Sequence, residues 1–299
     1  LNPKVYPYYA GEPGGLLFQP INKLLQPCVT LQSILALTVI IILAYMIQHT
    51  NNHYNFIRYR SYIPALIFII IVSGFTDMHC LHPVYFSSIF FIIAVYRLFD
   101  IHEKIKPYSA SFDTGFLLGV AALFYLNAIM LFPAFILGLT ILSFEKRWRE
   151  YILIITGMLL PVIFAISYGI LTDQVLEILK VMEQSILTVN NHFNKNINLL
   201  IYLSYLTFLT ILGSLKILKQ YDHEKVSTRK YFTVLFLLFV NSVLIFLLIP
   251  SASQEMLIIS SIPVTFLLSN FFIFIKSRLW GEFLFFLLIA GIVILQIIS

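Results

Sequence analysis

The residues best suited to chemistry gather in two short polar stretches. In TDMHCLHP (residues 76–83), Asp77, His79 and His82 stand two and three positions apart, a spacing that lets a carboxylate and two imidazoles orient a water, bind a cation or pass protons near a membrane surface. The same three residues are equally compatible with an ordinary hydrated loop. In YYAGEPGG (residues 8–15), Glu12 lies among Gly11, Gly14 and Gly15, which permit close backbone approach, so its carboxylate is a candidate base or a ligand for a metal-bound phosphate. The plainer reading is a solvated turn with tyrosine anchors beside it. Because the chain contains no HExxH segment, a divalent cation remains only a candidate cofactor and no metal ligand is assigned.

A second group suits lipid phosphate. Arg58, Arg60 and Tyr62 precede Pro64 at the start of an apolar run, where they can clamp an anionic headgroup or simply anchor at the interface. EKRWRE (145–150) has the same character. Asp113 is expected to act as a helix-start carboxylate, with a pair to Arg97 as the alternative, and Asn127 falls at the far end of the same short helix. No GxGxxG, Walker loop, GxSxG or CxxC occurs, which disfavours nucleotide-powered transport by this chain alone and dinucleotide redox chemistry. The two cysteines, Cys28 and Cys80, are too few for a disulfide scaffold.

The elements that must carry these residues are set by composition. Of 299 residues, 60% are hydrophobic and 11% charged, and the mean hydropathy is +0.91. That leaves too few polar side chains to cover a soluble surface. Continuously apolar runs exclude a membrane β-barrel, whose strands alternate. The expectation is an all-α, polytopic transmembrane bundle with about ten crossings, near residues 30–48, 62–75, 84–99, 112–126, 128–144, 151–171, 197–215, 231–249, 257–275 and 281–298. A single helix over 112–144 would reach about 50 Å, against a hydrocarbon core of roughly 30 Å, so two short helices are expected there. Four regions follow: an irregular or interfacial outer segment (1–29), a six-helix region (30–171), an outer amphipathic segment (172–196) and a four-helix region (197–299).

Charge orients this bundle. Of the 19 Lys and Arg residues, all but Lys4, Lys23, Lys180 and Lys195 fall in alternate gaps between the apolar runs. The positive-inside rule makes those gaps cytoplasmic and puts both ends of the chain outside. The basic residues sit in short clusters at segment ends, which suits lipid headgroups and excludes nucleic acid as a partner.

RYRSYIPALIFIIIVSGF (58–75), LHPVYFSSIFFIIAVYRLF (81–99) and FDTGFLLGVAALFYLNAIMLFPAFILGLTIL (112–142) resemble an uncharacterised Bacteroidota family of multispanning inner-membrane proteins. The resemblance covers roughly residues 58–170 and implies an integral envelope protein with a further helix ahead of Leu1. Short paired helices followed by aromatic and proline-rich interfacial stretches are also similar to parts of polyprenyl-phosphate-dependent membrane glycosyltransferases. That similarity implies a lipid-linked substrate and an acid in the first outer loop, Glu12 or else Asp77, with His79 or His82 tuning proton transfer and Arg58, Arg60 and Tyr62 holding phosphate. The alternatives are a non-catalytic scaffold or subunit with an envelope protein partner, and a transporter of lipids or small molecules.

Overall fold

The computed structural model describes residues 15–25, 29–57, 61–75, 80–102, 104–145, 147–187, 197–219, 225–249, 254–275 and 277–298. Among them all regular structure is helical: α1 (Gln19–Leu25), α2 (Val29–Tyr54), α3 (Ile63–Ser73), α4 (Pro83–Phe99), α5 (Tyr108–Phe124), α6 (Phe132–Leu142), α7 (Trp148–Leu171), α8 (Val175–Leu187), α9 (Ile197–Lys219), α10 (Val226–Leu248), α11 (Met256–Phe274) and α12 (Arg278–Ile298). A 3-10 helix, Leu126–Leu131, leads into α6.

Six of these helices, α2, α7, α9, α10, α11 and α12, are long and apolar enough to cross a membrane. Their exposed surfaces require lipid. On α7, Ile152, Ile155, Leu159 and Ile163 repeat every three or four residues as one exposed apolar stripe, and on α2 Ile34, Leu37 and Ile41 do the same. Water would not tolerate such stripes on a soluble protein. The chain is therefore a multi-pass membrane protein.

The expected apolar segments are present, with shifted ends. Helix α2 continues through the polar HTNNHY stretch to Tyr54, because none of those residues breaks a helix, and stops where Asn55 adopts a left-handed conformation (φ 49°). Helix α3 is only 11 residues, about 16 Å long. Pro64 and Pro133 occupy the first turns of α3 and α6, where their missing N–H costs nothing, whereas Pro161 and Pro263 lie inside α7 and α11.

Helix α11 is the axis. It packs against α3, α4, α9 and α10, and its residues are buried almost all the way round, so the first and last parts of the chain share one core. Its serines and threonines spend their hydroxyls on their own helix: Ser261 donates to Ile258 O (2.6 Å), Thr265 to Ser261 O (2.7 Å) and Ser269 to Thr265 O (2.6 Å). The C-terminal carbonyls of α11 find a different partner. Lys216 of α9 donates from Nζ to Phe271 O (3.2 Å) and lies over the Phe271 ring. A cation there satisfies an orphan carbonyl and the negative end of the helix dipole. Lys216→Met, which keeps the stem but not the donor, is expected to cost about 1–2 kcal/mol in a denaturation measurement on detergent-solubilised protein.

Several helix ends meet at two opposite poles. At one, Tyr54 at the end of α2 meets Asp100 after α4, and Tyr231 near the start of α10 packs against Tyr54 and His102. His102, before α5, reaches Leu142 O at the end of α6 (3.3 Å), and Arg147, before α7, donates to the Tyr108 hydroxyl at the start of α5 (3.1 Å). The chain thus leaves this pole in α5, reverses at the extended residue Tyr125 (φ −140°, ψ 103°) and returns in α6, as two short helices rather than one long one. At the opposite pole Leu17 N donates to Leu123 O (3.3 Å), Tyr202 of α9 reaches Ile71 O of α3 (3.5 Å), and Gln296 of α12 donates to Ser73 O (3.2 Å).

Candidate functional site

His82 is built into the pole opposite the basic residues. It precedes Pro83, the first residue of α4, and its Nδ1 accepts from Val84 N (3.2 Å), capping the helix. With Nδ1 used as an acceptor, the neutral ring carries its proton on Nε2, so His82 is a hydrogen-bond donor at that atom rather than a base. The ring is buried and meets Tyr125 edge-on at 6.3 Å. Tyr125 Oη accepts from Asn127 Nδ2 (3.3 Å), and Asn127 is buried as well. All three lie where α5 breaks. Gly15 covers this break closely: a Cβ there would sit 1.6 Å from Phe124 O. Gln254 and Glu255, buried just ahead of α11, follow the α10 helix that ends at this pole.

Of the expected site residues, Glu12, Asp77, His79, Arg58 and Arg60 lie outside the described residues, as does Cys28. Tyr62 is exposed before α3, at the basic pole, and so stands apart from His82. Among the described residues no three His, Cys, Asp or Glu side chains gather to hold a metal ion.

The basic pole carries a second polar cluster. Tyr54 Oη lies 2.6 Å from Asp100 Oδ1 and 2.9 Å from Tyr96 O, so its single proton serves the carboxylate first. Asp100 Oδ2 takes Arg97 Nη1 at 3.2 Å and Lys104 Nζ at 3.9 Å. Arg97 Nε continues to Asp113 Oδ2 at 3.7 Å. Asp113 is therefore a pairing residue and not the cap of α5, whose N-cap position is Pro107. Nearby, Ser143 donates to the buried carboxylate of Glu150 (2.5 Å), tying the end of α6 to the first turn of α7. These contacts join the ends of α2, α4, α5, α6 and α7, which is a structural clamp more than a reaction centre.

The chain belongs to DUF6427, a family of unknown function. Its family model matches residues 15–299, which takes in every described helix, the Gly15 cover and the two polar clusters. No curated protein and no solved structure matches the chain. Glu12 precedes the matched region, whereas His82, Tyr125, Asn127 and Glu255 fall within it.

Sequence reasoning missed Tyr125 and Glu255. Tyr125 sits inside an apolar run and gains its role only from the reversal beside it. Glu255 belongs to a short polar gap that reads as hydrated, and it is buried because α11 is central. The His82 cap did leave a signal: a side chain with an acceptor directly before a proline that opens a helix.

Proposed function

We propose that this DUF6427 member is an integral protein of a bacterial inner membrane that crosses ten times, with the basic pole in the cytoplasm, and that its outer pole recognises a lipid-linked substrate of the polyprenyl-phosphate kind. Six long apolar helices and the short apolar α3, α4, α5 and α6, whose ends meet those of the long helices at the two poles, support a reading of ten crossings. The orientation rests on charge: Arg97, Lys104, Arg147, Arg149, Arg229 and Lys230 all belong to one pole, and positive loops favour the cytoplasmic face.

The observation that carries the recognition reading is the gathering of buried His82 and Asn127 with half-buried Tyr125 around a helix break at the pole without basic clusters. Polar side chains at membrane depth are costly, and they gather where a ligand or an aqueous cavity receives them. In this reading His82 Nε2–H and the Tyr125 hydroxyl hold phosphate or sugar oxygens. Glu255, with Asp77 and Glu12 as the candidates outside the described residues, would accept the acceptor's proton if the protein transfers a sugar. A transporter is less well supported, because the hydroxyls beside α11 are spent on helix carbonyls and the surrounding side chains fill the core.

The test is binding of a long-chain polyprenyl phosphate to the full chain in nanodiscs, against phosphatidylglycerol as a lipid of like charge. Saturable binding of the polyprenyl phosphate alone is expected, weakened about tenfold by His82→Ala and by Tyr125→Phe, since a hydrogen bond to a charged group is worth about 1.5–3 kcal/mol. Tyr125→Phe removes only an oxygen and guards against misfolding. Equal binding of both lipids, or wild-type affinity in Tyr125→Phe and His82→Ala, would refute the reading.

A further inference from the structure

The three described histidines outside the outer pole differ in one respect. His102 is held by Leu142 O through Nδ1. His49 and His53 are exposed, and among the described residues neither ring forms a hydrogen bond. They stand four apart in the last turns of α2, so both project from one helix face. Their ring centres are 6.4 Å apart and their planes are inclined by only 20°. Both rings lean on Tyr96 of α4, at 6.1 and 5.3 Å. The Tyr96 ring in turn packs against the Tyr54 ring, with centres 5.3 Å apart.

We propose that His49 and His53 form a labile site for a divalent transition-metal ion on the basic pole, independent of the outer site. Two imidazoles four residues apart on a helix are a known way to chelate one ion, and neutral imidazole nitrogen is a good ligand for zinc, nickel and copper. With metal–nitrogen bonds of about 2.0–2.1 Å, two rings on one ion have centres roughly 5–6 Å apart. A small rotation about the side-chain bonds closes the gap from 6.4 Å. The Tyr96 ring limits how far either imidazole can swing, which lowers the ordering cost of binding. No third His, Cys, Asp or Glu joins them among the described residues, so water completes the coordination and exchange is fast. The Asp100 carboxylate does not compete, because Tyr54, Arg97 and Lys104 already occupy it. Among such ions Cu²⁺ should bind tightest.

The experiment is Cu²⁺ titration of the full chain in detergent, read by electron paramagnetic resonance. One saturable equivalent with hyperfine structure from two nitrogens is expected. His49→Ala and His53→Ala should each weaken it at least about tenfold, because either change turns a chelate into a single ligand; His102→Ala should not. If an alanine lowers the thermal midpoint, His49→Gln and His53→Gln replace it. Wild-type affinity in the His49 and His53 variants, or no saturable copper signal, would overturn the proposal.

Discussion

Gly115→Leu is expected to destabilise the protein by about 3 kcal/mol and to separate α5 from α7. Both helices start at the basic pole and run parallel, with backbones in direct contact. A Cβ at Gly115 would lie 2.0 Å from Ile154 O, and one at Gly157 would lie 2.3 Å from Phe112 O. The obstructing atoms are main-chain atoms of helices, which cannot turn aside as a side chain can. Gly115 and Gly119 are four apart on one face, the small-xxx-small arrangement by which membrane helices approach closely. Overfilling such a contact typically costs about 1–3 kcal/mol, and a leucine against rigid backbone falls at the upper end. The check is the unfolding midpoint in detergent, with Gly291→Ala as the control, since the nearest atom to its added Cβ is in the Tyr202 ring, at 3.4 Å. Equal midpoints for Gly115→Leu and Gly291→Ala would mean that α5 and α7 are not packed in this way.

Asp100→Ala is the second large effect, about 2 kcal/mol. Asp100 is nearly buried and takes the Tyr54 proton at 2.6 Å, a bond to a charged acceptor worth about 1.5–3 kcal/mol. Its pairs with Arg97 and Lys104 add less, because both cations are more than a third exposed and water screens them to under about 1 kcal/mol each. Arg97→Ala should therefore be mild. Combining Asp100→Ala with Tyr54→Phe should cost less than the sum of the two, by about 1–2 kcal/mol. Strict additivity would show that the bond holds nothing together.

How much of this was legible in the sequence follows from the range of each interaction. Apolar runs and the hairpin at 112–142 are local: length against bilayer thickness settles the latter, and Tyr125 supplies the turn. Helix ends were less legible, because the polar residues after Gln48 tolerate a helix and carried α2 on to Tyr54. The Tyr54–Asp100 bond joins residues 46 positions apart. Likewise, nothing in the FDTGFLLG stretch says that α7, rather than lipid, receives its glycines. Asp113 pairs with Arg97 instead of capping α5, and Glu255 carried no signal in the sequence, for one reason: which helix lies beside or over a charge at the end of an apolar run is set by tertiary packing.

The central claim, an even number of crossings in α5 and α6 with the basic pole inside, is tested by single cysteines in a chain lacking Cys28 and Cys80. Ile105 and Phe144 flank the hairpin and Leu176 lies on α8, all three well exposed. An impermeant maleimide applied to intact spheroplasts should label position 176 at once, and positions 105 and 144 only after the membrane is opened. Labelling of 105 and 144 from opposite sides, or of both from outside, would contradict the account.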